Sequence, residues 1–240
     1  MRIEKAIAAA AVSVLVVCGA PAQNMQKDAK PVVAVNHISA DFPVSDLANP
    51  AWRKAAEVAV ERYWSGKEAP AGRRFKARLL WSDTALYVRF EAAQAEPLVM
   101  SDQPILRKKT IGLWDRDVAE IFLAPDPKEP RKYYEFEVAP NGEWVDLFID
   151  YTKENRKRHD EYASGMRSFA RISDGKVNMA MVIDFKAFGR TPKAGDAWLG
   201  NLFRCVGKDP NRGYLAFNPT ETPEPSFHVP EKFVEFEFRK

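Results

Sequence analysis

Between Val177 and Phe185 every second residue is apolar, in the order Val177, Met179, Met181, Ile183 and Phe185. That period of two belongs to a β-strand and to no helix, so a chain assembled from such runs is a sheet protein. The same alternation recurs along the chain. Phe75, Ala77, Leu79 and Trp81 lead through the turn-like Ser82-Asp83-Thr84 into Leu86, Val88 and Phe90, which reads as two antiparallel strands. Further strands are predicted at 118–123, 133–138, 144–149, 198–206 and 233–238. Asn141-Gly142 makes the tight turn before the strand at 144, because both residues tolerate positive φ. Only Pro50 to Arg62 carries a helical period, read as a short helix running into a strand. The fold class predicted is all-β, an immunoglobulin-like or jelly-roll-like antiparallel β-sandwich with minor short helices. No repeat or linker divides it, so one domain over 32–240 follows a polar lead-in at 23–31.

The first 22 residues are of another kind. Arg2 and Lys5 precede the apolar run Ala6 to Val17, and Ala20-Pro21-Ala22 supplies the small residues of a cleavage site. This predicts a signal peptide cut after Ala22 and a secreted or periplasmic protein. A competing lipoprotein reading would acylate Cys18, but Val17 is bulky for the position before it. No later stretch reaches the roughly 20 apolar residues of a membrane helix. The other cysteine, Cys205, lies in an apolar run and reads as a small buried hydrophobe.

Several chemistries are excluded. There is no Gly-x-Ser-x-Gly elbow and no phosphate-cradling glycine loop. His37, His159 and His228 show no metal-ligand spacing. A formal net charge of +3, with basic clusters lacking interleaved aromatics, argues against a nucleic-acid partner. Carboxylates remain. Asp115, Asp117, Glu120, Glu135, Glu137 and Asp146 could supply a glycosidase-like pair, which would make the chain a polysaccharide-degrading enzyme.

The segment GLWDRDVAEIFLAP at 112–125 is the most informative. In its strand Val118, Glu120 and Phe122 point one way and Ala119, Ile121 and Leu123 the other, which puts Trp114 at the edge of the sheet. There the indole either plugs the end of the core or offers a flat face to a pyranose, whose hydroxyls the nearby carboxylates accept. Composition alone does not choose.

Six segments, in order, resemble family 9 carbohydrate-binding modules across nearly the whole chain after residue 22. They are Trp52 to Ala55; Leu80-Trp81-Ser82-Asp83 with Leu86-Tyr87-Val88; Leu113 to Phe122; Tyr133 to Gly142; Trp198 to Asn201 with Arg204; and Phe227 to Phe233. The resemblance implies an exported, non-catalytic carbohydrate-binding protein that clasps a glycan between two aromatic rings. Trp114 falls on the first ring position and Phe227 on the second, with Glu120 as a polar contact. Glu137 and Glu224 stand where binding members carry an arginine and an asparagine, and His228 and Arg204 are the candidates to replace them. Several members hold calcium in loops, which makes Asp115 and Asp117 the metal candidates; no other cofactor is implied. Related domains bind haem b through methionine paired with histidine or lysine, for which Met100, Met166, His159 and His228 are available.

Overall fold

The computed structural model describes residues 31–152 and 155–240. The predicted signal peptide, Cys18 and most of the lead-in lie outside the described residues. Among those described there are 13 strands. They are β1 (Val32–His37), β2 (Glu57–Val60), β3 (Phe75–Trp81), β4 (Ala85–Ala93), β5 (Val118–Ala124), β6 (Lys132–Val138) and β7 (Trp144–Asp150). The rest are β8 (Lys157–His159), β9 (Arg167–Ser173), β10 (Lys176–Asp184), β11 (Ala197–Val206), β12 (Gly213–Ala216) and β13 (Val234–Arg239). Helical turns are short 3-10 segments. The one at Pro50–Lys54 precedes β2, as the period of 50–62 predicted.

The all-β class holds, but pairing is not antiparallel throughout. The strands form one curled mixed sheet in the order β8-β7-β6-β5-β11-β13-β1-β3-β4-β10-β9, with β12 on β11 and β2 on β3. β1 lies between β13 and β3 and runs parallel to both. Parallel neighbours need a long connection, and β1 meets β13 across almost the whole described chain, a pairing that alternation within a strand cannot reveal. The Asn141-Gly142 turn forms as predicted, with Gly142 at φ +88° and its N–H donating to the Ala139 carbonyl at 2.9 Å.

Burial explains which residues take which face. Ala119, Ile121 and Leu123 of β5, Phe136 and Val138 of β6, and Trp198 and Leu202 of β11 share one apolar cluster with Leu79, Val88, Met181 and Ile183 of the other half of the sheet. Met179 and Met181 therefore fill the core. The opposite face of β5, β6, β7 and β11 carries a second cluster, including Phe122, Tyr133, Val145, Leu147, Phe203 and Phe227. β5 is thus buried on both faces, and a polar residue on it must find its partner inside the protein.

Candidate functional site

The outer face of β5, β6 and β11 opens into a cavity of about 420 Å³. Its apolar wall is Trp114, Phe122, Tyr214 and Phe227; Glu120, Glu135, Cys205 and His228 line it more deeply. Arg156, Arg158, Arg212, Asp115 and Asp209 also border it.

Strand parity builds the floor. Glu120 on β5 pairs with Glu137 on β6 and with Phe203 on β11, and Glu135 pairs with Phe122. Glu120, Glu135 and Glu137 therefore share one face and are all buried. The Cys205 thiol donates to Glu120 Oε1 at 3.3 Å. Burial pushes the Glu120 carboxyl up to about 8, with the charge of Glu135 acting the same way. Glu135 is raised by burial, and Glu137 is held well above the usual carboxylate range by burial and by the charges of Glu120 and Glu135. Carboxyls so placed favour their neutral forms.

The rim is fixed by arginine. Trp114 sits in a 3-10 turn, Leu113–Asp115, and the carbonyls of Trp114, Asp115 and the following Arg116 all accept hydrogen bonds from the Arg212 guanidinium. The indole is half-buried, and the Arg158 guanidinium carbon lies 4.7 Å from its ring centroid. Phe227 is 8% exposed and stacks on Phe203 at 4.1 Å with 12° between the planes. His228 is held by a 2.8 Å hydrogen bond between Nδ1 and the Tyr133 hydroxyl. Its Nε2 lies 3.9 Å from Glu135 Oε2, but this is a contact without an ion pair. Burial and the nearby Arg156 and Arg158 charges bring the His228 pKa down to about 3, so the ring is neutral.

Four of the predicted binding residues, Trp114, Phe227, Glu120 and His228, thus border one cavity. Arg204 does not. It lies between Phe203 and Cys205 and faces the other way, donating to the carbonyls of Arg73 and Ala93 at 2.6 and 2.7 Å and to Gln94 Oε1 at 2.5 Å. Asp117 also turns away from the cavity, accepting from the Gly207 N–H at 2.7 Å and from Gln94, whereas Asp115 is exposed at the rim. The two aspartates do not converge, so they do not fit a shared calcium ion. Glu224 is exposed and outside the cavity lining. Asp146 is on the opposite face of β7, bonded to Lys109 and to Ser164. For a haem, Met166 belongs to the main core and His159 pairs with Glu161, so neither joins His228. Met100 is half-buried and also outside the cavity lining. Sequence reasoning missed Arg156, Arg158, Arg212, Asp209 and Tyr214, which come from loops, the three-residue β8 and the four-residue β12.

An all-β domain with a ligand-sized cavity, walled by aromatic rings and floored by carboxyls, is the class that fold and site define. The chain belongs to the carbohydrate family 9 binding domain-like family, whose profile matches residues 46–233. Among curated relatives, an extracellular protein of Arthroderma benhamiae is 25% identical over 175 residues, covering 67% of this chain and 77% of the relative. Among solved structures, a protein of Bacteroides uniformis assigned to carbohydrate binding is similar with a TM-score of 0.69 at 15% identity, covering 88% of this chain and 100% of its own. A family 9 module from Caldicellulosiruptor kristjanssonii in complex with cellotriose has a TM-score of 0.63 at 13% identity, over 87% of this chain and 94% of its own. No helix among the described residues is long and apolar enough to cross a membrane.

Proposed function

We propose that this chain is an exported, non-catalytic domain that binds a saccharide in the cavity between Trp114 and Phe227, with Glu120 and His228 as polar contacts. The observation that carries this reading is the meeting of those four residues at one cavity inside a family 9 domain. Its volume of about 420 Å³ falls within the roughly 300–1,000 Å³ of small-ligand clefts. The glucose and cellotriose complexes of the Caldicellulosiruptor module support a sugar as ligand, and the extracellular relative supports export. The floor favours binding over hydrolysis. Burial raises all three of its glutamates, which favours neutral carboxyls over the ionised nucleophile or base that a glycosidase needs. Stacking on Trp114 supplies apolar contact, while hydroxyls meet acceptors at the rim.

The balance of ring burial against association entropy gives micromolar to millimolar affinity, about 4–8 kcal/mol. The test is a calorimetric and tryptophan-fluorescence titration with glucose and cellotriose. Binding by the wild type and its loss in Trp114→Ala, with unchanged circular dichroism, is the expected result. Absence of binding to any mono- or oligosaccharide by the folded protein overturns the proposal.

A further inference from the structure

The cavity floor holds three buried acids that, among the described residues, form no direct ion pair with a lysine or arginine. Glu120, Glu135 and Glu137 are 1%, 4% and 0% exposed, and one oxygen of each lies within 4.8 Å of the other two. Apart from a proton that Glu135 and Glu137 share between them, the Glu137 oxygens and Glu135 Oε2 have no hydrogen-bond partner. Arg212 donates to three main-chain carbonyls and Arg158 to Asp160, while Arg156 borders the cavity and acts on Glu135 only through its charge. Buried like charges this close cannot all ionise unless a positive species joins them.

Two further donors stand beside this group, each next to one of its carboxyls. Cys205 Sγ is 3.3 Å from Glu120 Oε1, and His228 Nε2 is 3.9 Å from Glu135 Oε2. The Tyr133 hydroxyl occupies His228 Nδ1 and leaves Nε2 facing the carboxylates, the way a metal-bound imidazole is oriented by a partner on its other nitrogen. Glu120, Glu135, Cys205 and His228 all line the cavity, so an ion has an entry path.

We propose that Glu120, Glu135, Glu137 and the Nε2 of His228 form a site for one divalent transition-metal cation on the cavity floor, with the Cys205 thiol beside it. Donor chemistry sets the metal class. Calcium takes about 6–8 oxygen ligands at roughly 2.3–2.6 Å, whereas imidazole and sulfur beside carboxylates suit zinc and its first-row neighbours. Donors about 2.1 Å from a tetrahedral ion stand roughly 3.4 Å apart, so the three glutamates would close inward by about 1 Å, and His228, which stands outside their 4.8 Å group, would move further. The site stands on the protein's own donors and does not depend on saccharide binding.

The experiment uses the folded full chain after chelator treatment and dialysis. Calorimetry with zinc chloride is expected to give one equivalent bound with micromolar or tighter affinity, and calcium chloride no binding that competes with it. Glu137→Gln and His228→Gln are each expected to weaken zinc at least tenfold with unchanged circular dichroism. Cobalt(II) loading of the wild type gives a readout that needs no variant, namely visible d–d bands that zinc abolishes. The proposal is overturned if the folded wild type binds neither zinc nor cobalt saturably, if both variants bind zinc as the wild type does, or if calcium displaces zinc. Sugar titrations of the metal-free protein are read separately, so either proposal can fail alone.

Discussion

The Arg158 guanidinium rests over the Trp114 indole, 4.7 Å from guanidinium carbon to ring centroid, while its Nε and Nη2 hold Asp160 at 2.5 and 3.0 Å. A cation on an exposed ring is worth about 0.5–1 kcal/mol. A sugar that stacks on that face must displace it. Arg158→Ala is therefore expected to bind cellotriose about two- to fivefold more tightly by calorimetry, and to change tryptophan emission before any ligand is added. Weaker binding in the variant would instead make Arg158 a sugar contact.

Phe227 has a structural duty that its proposed role in binding hides. With its ring stacked on Phe203 and edge-on to Tyr214 at 6.1 Å, Phe227→Ala removes part of the second apolar cluster. Truncations of this type cost about 3–5 kcal/mol, which a urea unfolding curve resolves. Phe227→Leu keeps most of the volume, with an expected cost below about 1.5 kcal/mol. It should remain folded while losing saccharide affinity, and it is the variant to use for binding.

Gly200 lies where the two halves of the sheet are joined, paired with Leu123 on β5 and Val234 on β13. A Cβ there would stand 2.2 Å from the Phe122 carbonyl oxygen and 3.1 Å from both Leu123 Cδ2 and Phe236 Cε2. The nearest obstacle is backbone, so rotamer changes cannot relieve the clash. Gly200→Ala is expected to lose at least about 1–3 kcal/mol in urea unfolding, with β5 displaced from β11. Unchanged stability would mean that the sheet can open at this join.

Where a strand repeats a period of two with large apolar residues, its position was legible to within a residue or two, as for β3, β10 and β11. Edge strand β9 was not legible, because Arg167–Ser173 carries polar and apolar residues on both faces and is largely accessible. Parity decided the site. Phe203 and Cys205 point outward from the core with Glu120, and the same alternation sends Arg204 inward, so reading β11 residue by residue would have removed Arg204 from the candidates. The guanidinium groups of Arg158 and Arg212 were invisible because they reach Trp114 from sites 44 and 98 residues away along the chain.

The floor carboxyls give the metal-free protein an unusual pH dependence, and its sign follows from two opposed groups. Glu120 titrates near 8 in the fold and near 4.5 when unfolded, so between those values the fold keeps a proton that the unfolded chain has released. Its stabilisation is complete below 4.5 and is lost as pH rises to about 8. His228 acts oppositely. Its folded value near 3 against 6.5 makes stability fall as pH drops from 6.5 to 3. From 4.5 to 6.5 the two slopes oppose each other, and from 6.5 to 8 only the carboxyls act. Cys205, pushed well above its usual value by burial, stays protonated throughout. In chelator, wild-type stability is therefore expected to fall between pH 6.5 and 8 by about 1.4 kcal/mol per pH unit for each proton held. Glu120→Gln, which cannot ionise, should lessen this slope in urea unfolding at matched pH, with Glu135 and Glu137 left to carry the remainder. A wild-type curve that is level or rising across that window would mean that the floor is already charged, and that Arg156, Arg158 and Arg212 neutralise it from the rim.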